Sequence, residues 1–139
     1  MKKVYFACSI RGGRNDQPVY EEIVSLIKTD AIVLSEIFGD KSLTQDGHSN
    51  LSDRQIWVRD MAWLKEADAI VAEVTNPSLG VGYEIAKAEE MGKPILALHR
   101  IIPGKRLSAM VAGSSKVKVA EYQNVAELKS TISNFLAKI

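Results

Sequence analysis

Short runs rich in apolar residues alternate along this chain with longer amphipathic stretches. Five of them, Val4–Cys8, Ala31–Leu34, Ala69–Ala72, Pro94–Leu98 and Val117–Ala120, have the length and composition of buried strands. Helical spacing fills the intervals. Pro18 suits a first helical turn, where its missing N–H costs nothing, and Ile23, Leu26 and Ile27 continue that helix. A second helix is predicted from about Leu51 to Ala67. A third runs from near Ser78 to Met91, with Gly92 at the expected stop. A short helix around Leu107–Val111 and a closing one over Val125–Leu136 complete the set. From Ser35 to Leu51 the periodicity fails, and Gly39, Gly47 and Asn50 mark a long loop. Five buried strands alternating with helices predict an α/β fold, a doubly wound parallel sheet with helices on both faces. The flavodoxin-like, Rossmann-like strand order 2-1-3-4-5 is expected. Ligands of such folds bind outside the carboxyl ends of the strands, so chemistry belongs after Cys8, Leu34, Ala72 and Leu98.

Composition narrows the picture. The chain has 139 residues, 46% of them apolar, which suits one globular domain spanning residues 1–139. Lys and Arg number 18 against 17 Asp and Glu, so the net charge is +1. That balance disfavours a broad basic surface for polymeric nucleic acid. It leaves room for a small, focused anion site. No apolar run approaches a membrane span, and one cysteine makes no internal disulfide, so a soluble cytoplasmic protein is expected.

Two glycine-bearing segments fall where ligands are expected. After the first strand comes Ser9-Ile10-Arg11-Gly12-Gly13-Arg14. Its glycines permit close backbone approach, and its arginines offer planar forks matched to phosphate. The plain alternative is a turn with solvated arginines. After the third strand, Ser78 is a plausible N-cap, and the helix it opens presents free N–H groups and a positive dipole end. Gly80 and Gly82 are poor first-turn residues, and close ligand approach is a reason to keep them. Glu84 lies one turn in, where the dipole favours the ionised carboxylate that a nucleophile requires. First-turn acids also serve helix stability alone. At ~100° per residue, Asp60 falls inside the stripe formed by Ile56, Trp63, Leu64 and Ala67. A carboxylate there has either a structural hydrogen-bond partner or a place in a cleft. Tyr5 shares a strand face with Ala7 and Ser9. His48 and His99 are not at metal-ligand spacing, and Cys8 stands alone, so neither metal nor cofactor is expected. Trp57 and Trp63 read as packing residues. Two carboxylates, a tyrosine and two anion sites at one sheet edge suggest glycosyl chemistry on a phosphorylated sugar.

Taken together these segments resemble a known family. Tyr5–Arg14 looks like the first-strand signature of the 2'-deoxynucleoside 5'-phosphate N-hydrolases, relatives of the nucleoside 2-deoxyribosyltransferases. Ala72–Glu84 is similar to the family's second signature, and Asp60–Leu64 and Leu107–Met110 also match. The resemblance implies that Glu84 attacks C1' of deoxyribose, that Asp60 assists by hydrogen bonding and moving protons, and that Tyr5 tunes the nucleophile. It implies that Ser9, Arg11, Gly12, Gly13, Arg14 and Ser78 hold the 5'-phosphate. Ile10, Gly80 and Met110 join the substrate-binding set, and Ser108 reaches the phosphate from the neighbouring subunit of a homodimer with shared sites. The segment from Ser35 to Asn50 has no counterpart in the family pattern. Nor does the chain carry the terminal extensions of animal members.

The reading that follows is cleavage of the N-glycosidic bond of a 2'-deoxynucleoside 5'-monophosphate. The Arg-Gly-Gly-Arg segment favours it over base exchange on free nucleosides, which need no phosphate clamp. A ribonucleotide N-glycosidase of the cytidine monophosphate type is a near variant. A non-catalytic nucleotide-binding module is disfavoured by the company of Glu84, Asp60 and Tyr5.

Overall fold

A computed structural model of the chain describes residues 1–10, 16–35 and 51–139. Its strands are β1 (Lys2–Ala7), β2 (Ala31–Val33), β3 (Ala69–Glu73), β4 (Ile95–Arg100) and β5 (Val117–Tyr122). All pairings are parallel, in the order β2-β1-β3-β4-β5. This is the order expected from the alternation of runs. The helices are α1 (Gln17–Asp30), α2 (Asp53–Glu66), α3 (Leu79–Glu90), α4 (Ala109–Ala112) and α5 (Leu128–Ala137). A 3-10 turn at Val125–Glu127 takes up the start expected for the closing helix.

Local signals account for the boundaries. Pro18 stands in the first turn of α1. Ser52 opens α2 through a capping box, its hydroxyl accepting from the Gln55 N–H while the Gln55 side chain accepts from the Ser52 N–H. Ser78 caps α3, its Oγ accepting from the Val81 N–H at 3.2 Å. Gly92, at φ 70°, supplies the left-handed turn that releases the chain into β4. The loop expected between residues 35 and 51 falls, from residue 36 to 50, outside the described residues.

The sheet separates two apolar layers. Val4, Phe6, Leu96 and Leu98 pack with Tyr20, Ile23 and Ile27 of α1 and Ile132 and Phe135 of α5. On the other face Tyr5, Ala7, Ile70 and Ile95 pack with Leu64 of α2 and Val81 and Ile85 of α3. The central strands are buried as expected, whereas β5 is only partly so. It is an edge strand with a neighbour on one side alone. The chain steps from β1 outward to β2, then returns across β1 to build β3. That reversal leaves a crevice at the carboxyl ends of β1 and β3. No helix among the described residues is long and apolar enough to cross a membrane.

Candidate active site

Three of the singled-out side chains meet at this crevice. Tyr5 comes from the middle of β1, Asp60 from α2 and Glu84 from the second turn of α3. They line one small cavity with Ile10, Cys8 and Ser35. Period two on β1 turns Tyr5 toward the α2/α3 layer, and one helical turn carries Glu84 back over the sheet edge. Ser35 was not foreseen. Its hydroxyl accepts from the Phe6 N–H at 2.8 Å and donates to the Phe6 carbonyl at 2.7 Å, tying the end of β2 to β1 behind Tyr5.

Burial sets the electrostatics. The Glu84 carboxyl is pushed up to about 7, chiefly because burial disfavours its charged form, with the nearby Asp60 adding to the rise. A hydrogen bond from Tyr5 opposes the shift. The helix dipole was expected to favour the ionised form, but desolvation outweighs it here. Burial also raises Asp60, against the pull of Arg59, whose Nε donates to Asp60 Oδ1 at 2.9 Å. Tyr5 is driven upward by burial and by both carboxylates, so its hydroxyl stays protonated and can donate. Asp60 thus meets both sequence alternatives, for it lines the cleft and has a hydrogen-bond partner. Its structural partner is the residue beside it.

Tyr5→Phe removes the donor that holds the Glu84 titration down. The Glu84 carboxyl carbon, followed by NMR, is expected to titrate above about 7 in this variant. An unchanged or lowered midpoint would rule out tuning by Tyr5.

A second cleft of about 390 Å³ opens beside the first and shares Asp60 and Glu84 with it. Its walls are Trp57, Met61, Leu79, Gly80 and Tyr83. Trp57 is thus not the packing residue expected: it is 42% exposed, and its Nε1 donates to the Tyr83 hydroxyl at 3.1 Å. Spacing offered a clue, since Trp57 precedes Asp60 by nearly one turn and shares its face. Trp63 packs against the α2/α3 layer as foreseen, with the Arg59 guanidinium 4.9 Å from its ring centre. Gly80 keeps a gap open. A Cβ there would stand 3.9 Å from Ser78 Oγ and 4.0 Å from Glu84 Oε1, projecting between cap and carboxylate.

The remaining candidates are dispersed. Ser9 is buried just beyond β1. Ser78 and Ser108 line a cleft on the far side of the α3 N-terminus, together with Arg106. Met110 is 85% exposed and lines none of these cavities. Arg11, Gly12, Gly13 and Arg14 lie outside the described residues.

Comparison with known proteins identifies the family of the chain. Residues 4–110 match the family described as nucleoside 2-deoxyribosyltransferase. A 5-hydroxymethyl-dUMP N-hydrolase of Tetraodon nigroviridis is 49% identical over 113 residues, covering 81% of this chain and 80% of its own. The mouse (Mus musculus) protein of the same name is 49% identical over 123 residues, covering 86% of this chain and 71% of its own. Among solved structures, a CMP N-glycosidase of Clostridium botulinum superposes with a TM-score of 0.66 at 21% identity, over 96% of this chain and 99% of that one, which is a likeness of fold. With a family match across most of its length and relatives this similar, the chain belongs to the nucleoside 2-deoxyribosyltransferase family.

Proposed function

We propose that this chain hydrolyses the N-glycosidic bond of 2'-deoxynucleoside 5'-monophosphates, releasing the free base and 2-deoxyribose 5-phosphate. The observation that carries the reading is the half-buried Glu84 beside Tyr5 and Asp60 at the sheet's reversal point. It occurs in a family member whose relatives include enzymes named N-hydrolases of a deoxynucleotide.

The mechanism follows from the charges. The ionised Glu84 carboxylate attacks C1', and the C1'–N bond breaks with its electron pair passing to the base nitrogen. Asp60 lines the same cavity and hydrogen-bonds the substrate in this step, while the departing base takes its proton from water. Water then attacks C1' of the glycosyl ester, Glu84 leaves as carboxylate, and Asp60 takes the water's proton. Tyr5 donates to the returning carboxylate. A deoxyribose lacks the electron-withdrawing 2'-hydroxyl, which makes the oxocarbenium-like transition state easier to reach.

The 5'-phosphate is assigned to Ser9, Ile10, Arg11, Gly12, Gly13, Arg14 and Ser78, with Gly80 leaving space for the sugar. Binding there is remote from C1' and holds it against Glu84. Ser108 and Met110 are assigned to the site of a second copy in a homodimer. Leu79 at 97% and Met110 at 85% exposure are large apolar side chains that a partner would cover. A cytoplasmic setting suits a mononucleotide substrate.

The test is base release from each deoxynucleoside monophosphate, from the free deoxynucleosides and from cytidine monophosphate. Release from the deoxynucleotides without an added base is expected. Turnover of free nucleosides alone, and only with an acceptor base present, would replace hydrolysis by transfer. A monomer in sedimentation at assay concentration would remove the shared-site assignment.

A further inference from the structure

Asp16 is the N-cap residue of α1, yet its carboxylate makes no capping hydrogen bond. An N-cap aspartate ordinarily accepts from the first-turn N–H groups. Here both oxygens are committed elsewhere. Oδ1 accepts from Arg100 Nη2 at 2.8 Å, and Oδ2 accepts from Asn76 Nδ2 at 2.6 Å. These partners lie 84 and 60 residues away in sequence. Asn76 is held from its other side too, because Lys105 Nζ donates to its Oδ1 at 2.6 Å. The Arg100 N–H donates to Thr75 Oγ1 at 2.8 Å, so the main chain of β4 grips the same turn. Two residues on from Asn76 stands Ser78, the cap of α3.

We propose that Asp16 is a positioning residue: by bridging Arg100 and Asn76 it fixes the start of α1 to the turn between β3 and α3. It thereby places the Asn76–Ser78 turn, and with it Ser78, to which the 5'-phosphate is assigned. The inference rests on the phosphate assignment made above. Asp16 itself carries a negative charge and does not touch the phosphate. Its carboxylate is held below the usual range by its hydrogen bonds to Arg100 and Asn76, although burial opposes them. Arg100 binds through a single arm, since its Nε is buried without a partner. A two-pronged fork would demand arginine; a single arm can be replaced by an ammonium group.

The experiment compares the full-length wild type with Asp16→Asn, Arg100→Met and Arg100→Lys. Calorimetric titration with inorganic phosphate and steady-state kinetics on a deoxynucleoside monophosphate are the readouts. Asp16→Asn and Arg100→Met are expected to weaken phosphate binding and raise KM about tenfold, with kcat changed less than threefold and circular dichroism unaltered. Arg100→Lys is expected to recover most of the loss. Phosphate affinity and KM within twofold of wild type in Asp16→Asn would overturn the proposal. So would a parallel fall in kcat and thermal midpoint with KM unchanged, which marks a brace for the fold alone. A wild type that binds no phosphate would instead overturn the phosphate assignment, a result visible before any variant is made.

Discussion

Glu84→Gln is expected to lose roughly 10³-fold or more of the base-release rate while melting at a higher temperature than the wild type at pH 8. The amide keeps the shape of the side chain but cannot form the glycosyl ester, and removal of a nucleophile is among the costliest changes in an active site. The stability gain has a separate origin. Glu84 titrates at about 7 in the fold and near 4.5 in an ordinary setting. A carboxyl raised in this way favours the folded state fully below about 4.5, and that contribution is lost as pH rises through about 7. Above that range the wild type carries the cost of an ionised, desolvated carboxylate, on the order of 3 kcal/mol at most. The glutamine carries none. The difference in melting temperature, roughly 5–10 °C at pH 8, should shrink toward zero near pH 4.5. Equal midpoints at both pH values would mean that Glu84 is not the desolvated acid described here. Full activity in the variant would remove it as nucleophile.

Asp60→Asn is expected to lower kcat about 10²-fold, the usual scale for one proton-transfer group. Its second effect runs in the opposite sense from damage. The Asp60 charge raises Glu84, so its removal lets Glu84 ionise at lower pH. The acidic limb of kcat/KM, expected near 7 in the wild type, should therefore move down in this variant. The substrate phosphate also titrates, near 6, but identically for every variant, so a displacement between variants belongs to the enzyme. A limb that stays in place or moves up, with activity lost, would deny the coupling of the two carboxylates. A rate unchanged at the optimum would take Asp60 out of proton transfer.

Much of this arrangement can be read before any coordinates. Runs of four or five apolar residues separated by helical spacing lead to a parallel sheet, and its reversal point lies at the ends of β1 and β3. Tyr5, Asp60 and Glu84 converge there because period two and period 3.6 each fix a face. Periodicity says which residues share a face, not whether anything covers it. Hence Trp57 reads as core and stands instead half in solvent on a cleft wall. For the same reason β5 reads as buried, although it occupies an edge. The Asp16–Arg100 pair leaves no trace in a local pattern, because its members are brought together only by the crossing of distant strands. The raised Glu84 titration is equally invisible, since dipole and desolvation oppose each other and only the depth of the cavity decides.

Glu73 ends β3 with a buried carboxyl that accepts from the Thr75 N–H and hydroxyl and from the Tyr122 hydroxyl. Tyr122 belongs to β5, two strands away across the sheet and 49 residues later in the chain. During synthesis, therefore, the first three strands emerge from the ribosome while one of the donors for that carboxyl has yet to be made. Burying Glu73 at that stage would leave part of its hydrogen-bonding capacity unmet. The growing chain has reason to keep this edge open to water until its last strand arrives. Final closure of the sheet then waits on the synthesis of β5.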